Sequence, residues 1–324
     1  MLEIHRIPLL VSLLLLSWLA LGSTAAVAAE VAEAADAPLR PLEATSFGGQ
    51  PLYRYDIPVE KRAEVYERIA ALEAKADKSE QDYITLGYLY IEVGQFQGAI
   101  DLYTRGLEAV PTSFKLLRHR GHRYLNVRQL DQAIADLERA LELLGDDNKD
   151  VVQYRLSGEP FGTYEHWIWY HVALYHYLNG DYAAAAAGYE RCVETATANA
   201  MLIGAVDWLW NSYQKNGEPE KAKAALARVP ADIDIRPGYA YFRRVQLYQG
   251  LADPTELIDL SKPGLDWNGL DITLGYGVAN WYALQGDSAT AQKIFDKILK
   301  GGVWNAWAYV ATDREQARRG AEVR

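Results

Sequence analysis

Histidine is the side chain best suited to acid, base or metal-ligand chemistry near neutral pH. Five of the six histidines fall in two clusters. One is His119 and His122, in "HRGH". The other is "HWIWYHVALYHYLNGDY", where His166, His171 and His176 stand five apart. A helical residue turns about 100°, so five residues leave a net rotation of about 140°. His166, His171 and His176 therefore point in three directions and cannot share one metal. Histidines three apart do face one way, so His119 and His122 with His171 form the one set that could converge. No cysteine and no placed carboxylate accompanies that set, which argues against a metal site.

Other chemistry leaves little trace. The chain has no G-x-S-x-G, H-E-x-x-H, G-x-x-x-x-G-K-[ST] or paired C-x-x-C. "DDNKD" alternates Asp146, Asn148 and Asp150 as a calcium loop does. Val151 stands where such a loop needs glycine, and Ser157 where it needs the closing glutamate. The sole cysteine, Cys192, cannot form an intrachain disulfide and is expected to be a buried thiol. No catalytic residue and no cofactor is assigned.

The elements that must carry these residues repeat. In Tyr83–Pro111 a bulky Tyr83 is followed by Leu86-Gly87, Tyr90, Gly94, Ala99, Tyr103, Gly106 and Pro111. The position of Tyr90 recurs as Tyr124, His176, Tyr213 and Tyr282, the first three steps being 34, 52 and 37 residues. A period near 34 is that of a helix-turn-helix unit. Small residues let two antiparallel helices approach, and large ones fill the seam. This pattern resembles the tetratricopeptide repeat family over residues 60 to 318. The resemblance implies an all-α, right-handed superhelical solenoid of five to six antiparallel helix pairs with capping helices.

The expected organisation is a signal peptide over 1–29, a linker over 30–58 and a TPR-like solenoid over 59–320. Units are expected to start near 80, 114, 166, 203, 236 and 272, with an insert at 148–165 that accounts for the long step. Within this frame His176, like Trp169, is a seam residue.

The resemblance also implies that the first helix of each unit lines a concave face where ligands bind. The expected stripes there are Lys115, Arg118, His119 and His122 in the second unit and Trp167, Tyr170 and His171 in the third. In the fourth they are Asp207, Trp208 and Asn211. A basic strip would lie beside a ring-rich one and suit an acidic or C-terminal peptide segment. The family's clamp on a terminal carboxylate uses Lys and Asn at set places, and here Ile84, Tyr88, His119 and His171 stand at four of them.

The formal net charge of −10 disfavours nucleic acid and anionic membranes as partners. Arg6, the apolar run Ile7–Leu21 and the small residues around Ala26-Val27-Ala28 fit a cleavable export signal. A run of fifteen residues falls short of the roughly 20 that a span needs. Without a cysteine near that segment, acylation as a lipoprotein is not expected. The expected function is a non-catalytic, exported, periplasmic or secreted scaffold that binds a protein or peptide. A small-molecule-binding module with an aromatic groove narrowed by the insert is the alternative. An enzyme working in that groove ranks last.

Overall fold

The computed structural model describes residues 40–236 and 238–322. The expected signal peptide and residues 30–39 of the expected linker lie outside these residues. Residues 42–324 belong to one unit distinct from residues 1–41, and the fold below is that of the described part of this second unit.

Helix pairing follows the small and large residues of the repeat. After the first helix, α1 (Val59–Glu73), come the pairs α2/α3 (Glu80–Glu92, Phe96–Ala109) and α4/α5 (Phe114–Asn126, Leu130–Leu144). The pairs α6/α7 (Tyr164–Asn179, Tyr182–Glu194) and α8/α9 (Asn199–Lys215, Pro219–Leu226) follow. The chain continues through α10 (Ala240–Tyr248), the short α11 (Pro254–Leu257), and the pair α12/α13 (Gly269–Leu284, Ser288–Lys300), and ends in α14 (Trp307–Glu322). The result is an all-α solenoid. In the first pair a Cβ on Gly87 would stand 2.1 Å from the Tyr103 hydroxyl oxygen, so only glycine permits this approach of α2 to α3. Helix starts carry their own signals: Ser79 and Asp82 form a capping box on α2, and Ser113 and Thr163 cap α4 and α6.

Two β-hairpins interrupt the helices. Residues 42–53, expected within the linker, form β1 (Leu42–Thr45) and β2 (Pro51–Tyr53). Glu43 is buried there and holds Arg54 at 2.7 Å and the Gln97 backbone N–H at 3.1 Å, which fastens the hairpin to the start of α3. The 148–165 insert forms the second hairpin, β3 (Val152–Tyr154) and β4 (Pro160–Thr163).

The C-terminal helix departs most from expectation. It does not merely cap the last pair. It returns along the first helices of the units, with Trp307 5.0 Å from His122 of α4 and Arg314 donating to the Leu178 carbonyl of α6. Glu315 binds Lys215 of α8 at 3.1 Å and accepts from Tyr276 of α12 at 2.6 Å. Ala308, Val310, Ala311 and Thr312 are buried. An open concave trough is therefore absent along this stretch, because the chain's own last helix lies in it. Among the described residues, no helix is long and apolar enough to cross a membrane.

Candidate functional site

A cavity of about 850 Å³ remains beside α14, a size suited to a drug-sized ligand. Its floor comes from α4, α6 and α8, through Arg118, His122, His166, Trp167, Tyr170, His171 and Met201. The insert hairpin closes one side with Arg155, Glu159 and Phe161. Ile235, Arg236, Tyr239 and Tyr241 close the other, and Trp307 of α14 adds a further ring.

Local structure explains how the hairpin comes to be a wall. Gly162 has φ +77°, a backbone conformation that favours glycine, and a Cβ there would stand 2.2 Å from Met201 Cε. The close approach lays Phe161 flat on Trp167, with ring centroids 4.3 Å apart. The Trp167 indole N–H donates to the Phe161 carbonyl and fixes the stack. At the mouth, the Arg155 guanidinium lies 3.7 Å from the Phe161 ring centroid.

Hydrogen-bond partners set the tautomers of the four histidines around Arg118. The Arg118 guanidinium can only donate, so His119 Nδ1, 3.0 Å from Arg118 Nη1, accepts. Arg123 likewise donates to His122 Nδ1, which leaves His122 Nε2 as a donor. His171 Nδ1 donates to the Trp167 carbonyl, so its Nε2 is an acceptor in the neutral ring. Thr195 gives its hydroxyl proton to the Arg191 carbonyl, and its oxygen accepts from His166 Nδ1 at 3.2 Å. His166 Nε2 is thus a buried acceptor, and it has no hydrogen-bond partner among the described residues.

Burial, reinforced by the neighbouring guanidiniums, holds His119, His122 and His171 well below the usual imidazole pKa. Burial pushes His166 down to about 4. All four are neutral at pH 7. Burial also lowers the Arg118 pKa, and it lowers that of Arg123 to about 10.

The histidines do not gather a metal. His122 and His171 lie one over the other, with ring centroids 4.1 Å apart, instead of aiming nitrogens at a common point. Among the described residues no group of three His, Cys, Asp or Glu side chains is placed to hold a metal ion. Cys192 is fully buried, and burial raises its thiol pKa well above the ordinary value.

Of the ten residues expected on the concave face, Arg118, His122, Trp167, Tyr170 and His171 line the cavity. His119 lies behind Arg118 and is 1% exposed. Lys115 pairs with Glu80 at 2.8 Å and does not line the cavity. Asp207, Trp208 and Asn211 are in the core. Helix α10 packs on α8 and sets Arg244 2.7 Å from Asp207, with neither side chain exposed. The expectation of a regular solenoid fails here because α10, in the unit expected from about 236, covers that face. His176 is only partly buried, 3.8 Å from Asp181. Sequence reasoning missed His166 and the residues of the insert and of 235–241. The 18-residue excess in the repeat spacing was the one signal, and it pointed only towards the insert.

No protein-family model matches the chain, and no curated protein matches it. Among solved structures it is similar to MamA, at 20% identity over 66% of this chain and 93% of that one, with a TM-score of 0.38. It is also similar to YrrB, described as a TPR protein with an unusual peptide-binding site, at 16% identity over 80% and 97%, TM-score 0.39. A third is the C-terminal part of a TPR repeat-containing protein from Cytophaga hutchinsonii, at 20% identity over 74% and 89%, TM-score 0.38. In this chain the signature residues Leu86, Gly87, Ala99, Tyr103 and Gly106 are all buried between α2, α3 and their neighbours. The fold is that of a TPR-like α-solenoid.

Proposed function

We propose that the protein is a non-catalytic binding module that takes its ligand, or a short protruding part of its partner, into the cavity between α4, α6, α8 and the insert hairpin. The observation that carries this reading is the position of α14. With the chain's own helix along the first helices, the ring-lined cavity is what the concave side still offers to a partner. Its flat walls suit anchoring contacts, and its polar groups are few and convergent, as in sites that bind without chemistry. The expected acidic peptide segment becomes a short one that enters end-on. We further propose that the protein works on the exported side of a bacterial membrane, as the Arg6–Ala28 segment suggests.

A photo-crosslinking residue at Arg236, on the rim, tests the site, with the same residue at Asp101 on the outer face of α3 as control. The reading expects adducts from native envelope material at position 236 and none at 101. Adducts confined to 101 would overturn it. Export is tested by N-terminal sequencing of the mature protein, where an intact Met1 would contradict cleavage.

A further inference from the structure

The cavity wall holds one buried cation, Arg118, that has no ion-pair partner among the described residues. Arg118 is 2% exposed, and no carboxylate lies within ion-pair distance of it among the described residues. Its Nε also lacks a hydrogen-bond partner there. Arg155 and Arg236 at the mouth make ring contacts but no ion pair. A guanidinium removed from water without an anion is strongly unfavourable, and such groups mark places where charge is supplied by something bound.

Two further features narrow the anion. His166 Nε2 and His171 Nε2 are acceptors in the same wall, so they would repel a ligand that is acceptor on every side, such as sulfate. They call for a ligand that carries a hydrogen-bond donor as well as the anionic group. The remaining surface is flat and aromatic, from Trp167, Tyr170, Tyr239, Tyr241 and Trp307.

We infer that the cavity binds an aromatic carboxylate that also carries a hydroxyl or amino donor. The carboxylate lies against Arg118, the ring between the aromatic walls, and the donor on His166 Nε2. The inference rests on the cavity being the binding site. The same chemistry is offered by a free aromatic acid and by a protein chain ending in tyrosine.

Calorimetric titration of the full chain tests it, with 3-(4-hydroxyphenyl)propionate, its methyl ester, and 3-phenylpropionate as probes. The acid should bind one to one. The ester and the acid lacking the hydroxyl should each bind about tenfold more weakly, the scale of one lost charge-assisted or buried hydrogen bond. Arg118→Met should erase the preference for acid over ester. Should that variant not fold, Arg236→Gln at the exposed rim should weaken the acid and leave the ester unchanged. Short peptides ending in tyrosine, with free or amidated carboxyl, separate the sources. A free-ended peptide that outbinds the free acid assigns the anion to a protein terminus and supports the same chemistry. Equal binding of acid and ester would overturn the inference while leaving the cavity as the site. No binding of either would also overturn it, and crosslinking at Arg236 then decides the binding-module reading independently.

Discussion

Arg128 Nε stands 3.2 Å from an Asp313 carboxylate oxygen, across 185 residues of chain, with both side chains nearly out of solvent. Arg128 occupies the turn of the second unit where the first has Gly94, and it keeps the left-handed backbone there, at φ +67°. Such a conformation costs a non-glycine residue about 1 kcal/mol. The guanidinium repays it by also donating to the carbonyls of Asn126 and Trp304, which ties the α4 turn to the segment leading into α14. The backbone strain therefore sits where the solenoid is closed by its own last helix.

Removing either partner should destabilise the fold, but unequally. Asp313→Ala leaves a buried guanidinium without its counter-charge and should cost about 3 kcal/mol. Arg128→Gly loses the same ties but relieves the backbone, and should cost less. Urea unfolding of both variants decides the order. A milder effect for Asp313→Ala would contradict the latch.

Arg118→Met should behave in the opposite way. With no carboxylate beside it, the Arg118 guanidinium holds the fold together less than it burdens it, so the variant should be unchanged or more stable by about 1 kcal/mol. Thermal melting measures this. A loss above about 2 kcal/mol would assign Arg118 to the core instead of a binding site.

Gly162→Ala combines a left-handed backbone with a collision against Met201. It should cost about 1 to 3 kcal/mol and shift the fluorescence of Trp167, whose indole is held by the neighbouring carbonyl. Adding Met201→Ala should relieve the collision and leave the backbone part. Full recovery in the double variant would show that the left-handed turn carries no strain.

The repeat was legible because its signature consists of local spacings: Gly87 against Tyr103 is written within one unit. Five residues of the candidate site were legible for the same reason, since helical period alone puts Arg118 with His122, and Trp167 with Tyr170 and His171. What was not legible depends on contacts without a period. Asp207 and Trp208 look like groove residues until α10 is laid over them with Arg244. The return of α14 hangs on single long-range ties such as Arg128–Asp313 and Lys215–Glu315, which leave no pattern in the sequence.

Acid should weaken the fold. His119, His122, His166 and His171 are held neutral, with His166 down to about 4, so between the ordinary imidazole pKa near 6.5 and that value the unfolded chain binds the extra protons. Stability then falls as pH falls, by up to about 1.4 kcal/mol per pH unit for each proton. Asp207 opposes this with one proton, because burial raises its carboxyl to about 7 and the native state keeps a proton that the unfolded chain has released. Urea unfolding at pH 7 and pH 5 should show a net loss at pH 5, and Asp207→Asn should steepen it. A flat or rising profile on acidification would contradict the neutral cluster.

Amide hydrogen exchange over Ala308–Glu315 tests the central claim most directly, that the C-terminal helix lies along the first helices and leaves the cavity as the way in. These amides should exchange as slowly as those of Val172–Tyr177 in α6, since both stretches are buried in the same core. Exchange at the rate of an exposed, fraying helix would show an open concave face, and the binding site would then have to be sought along it.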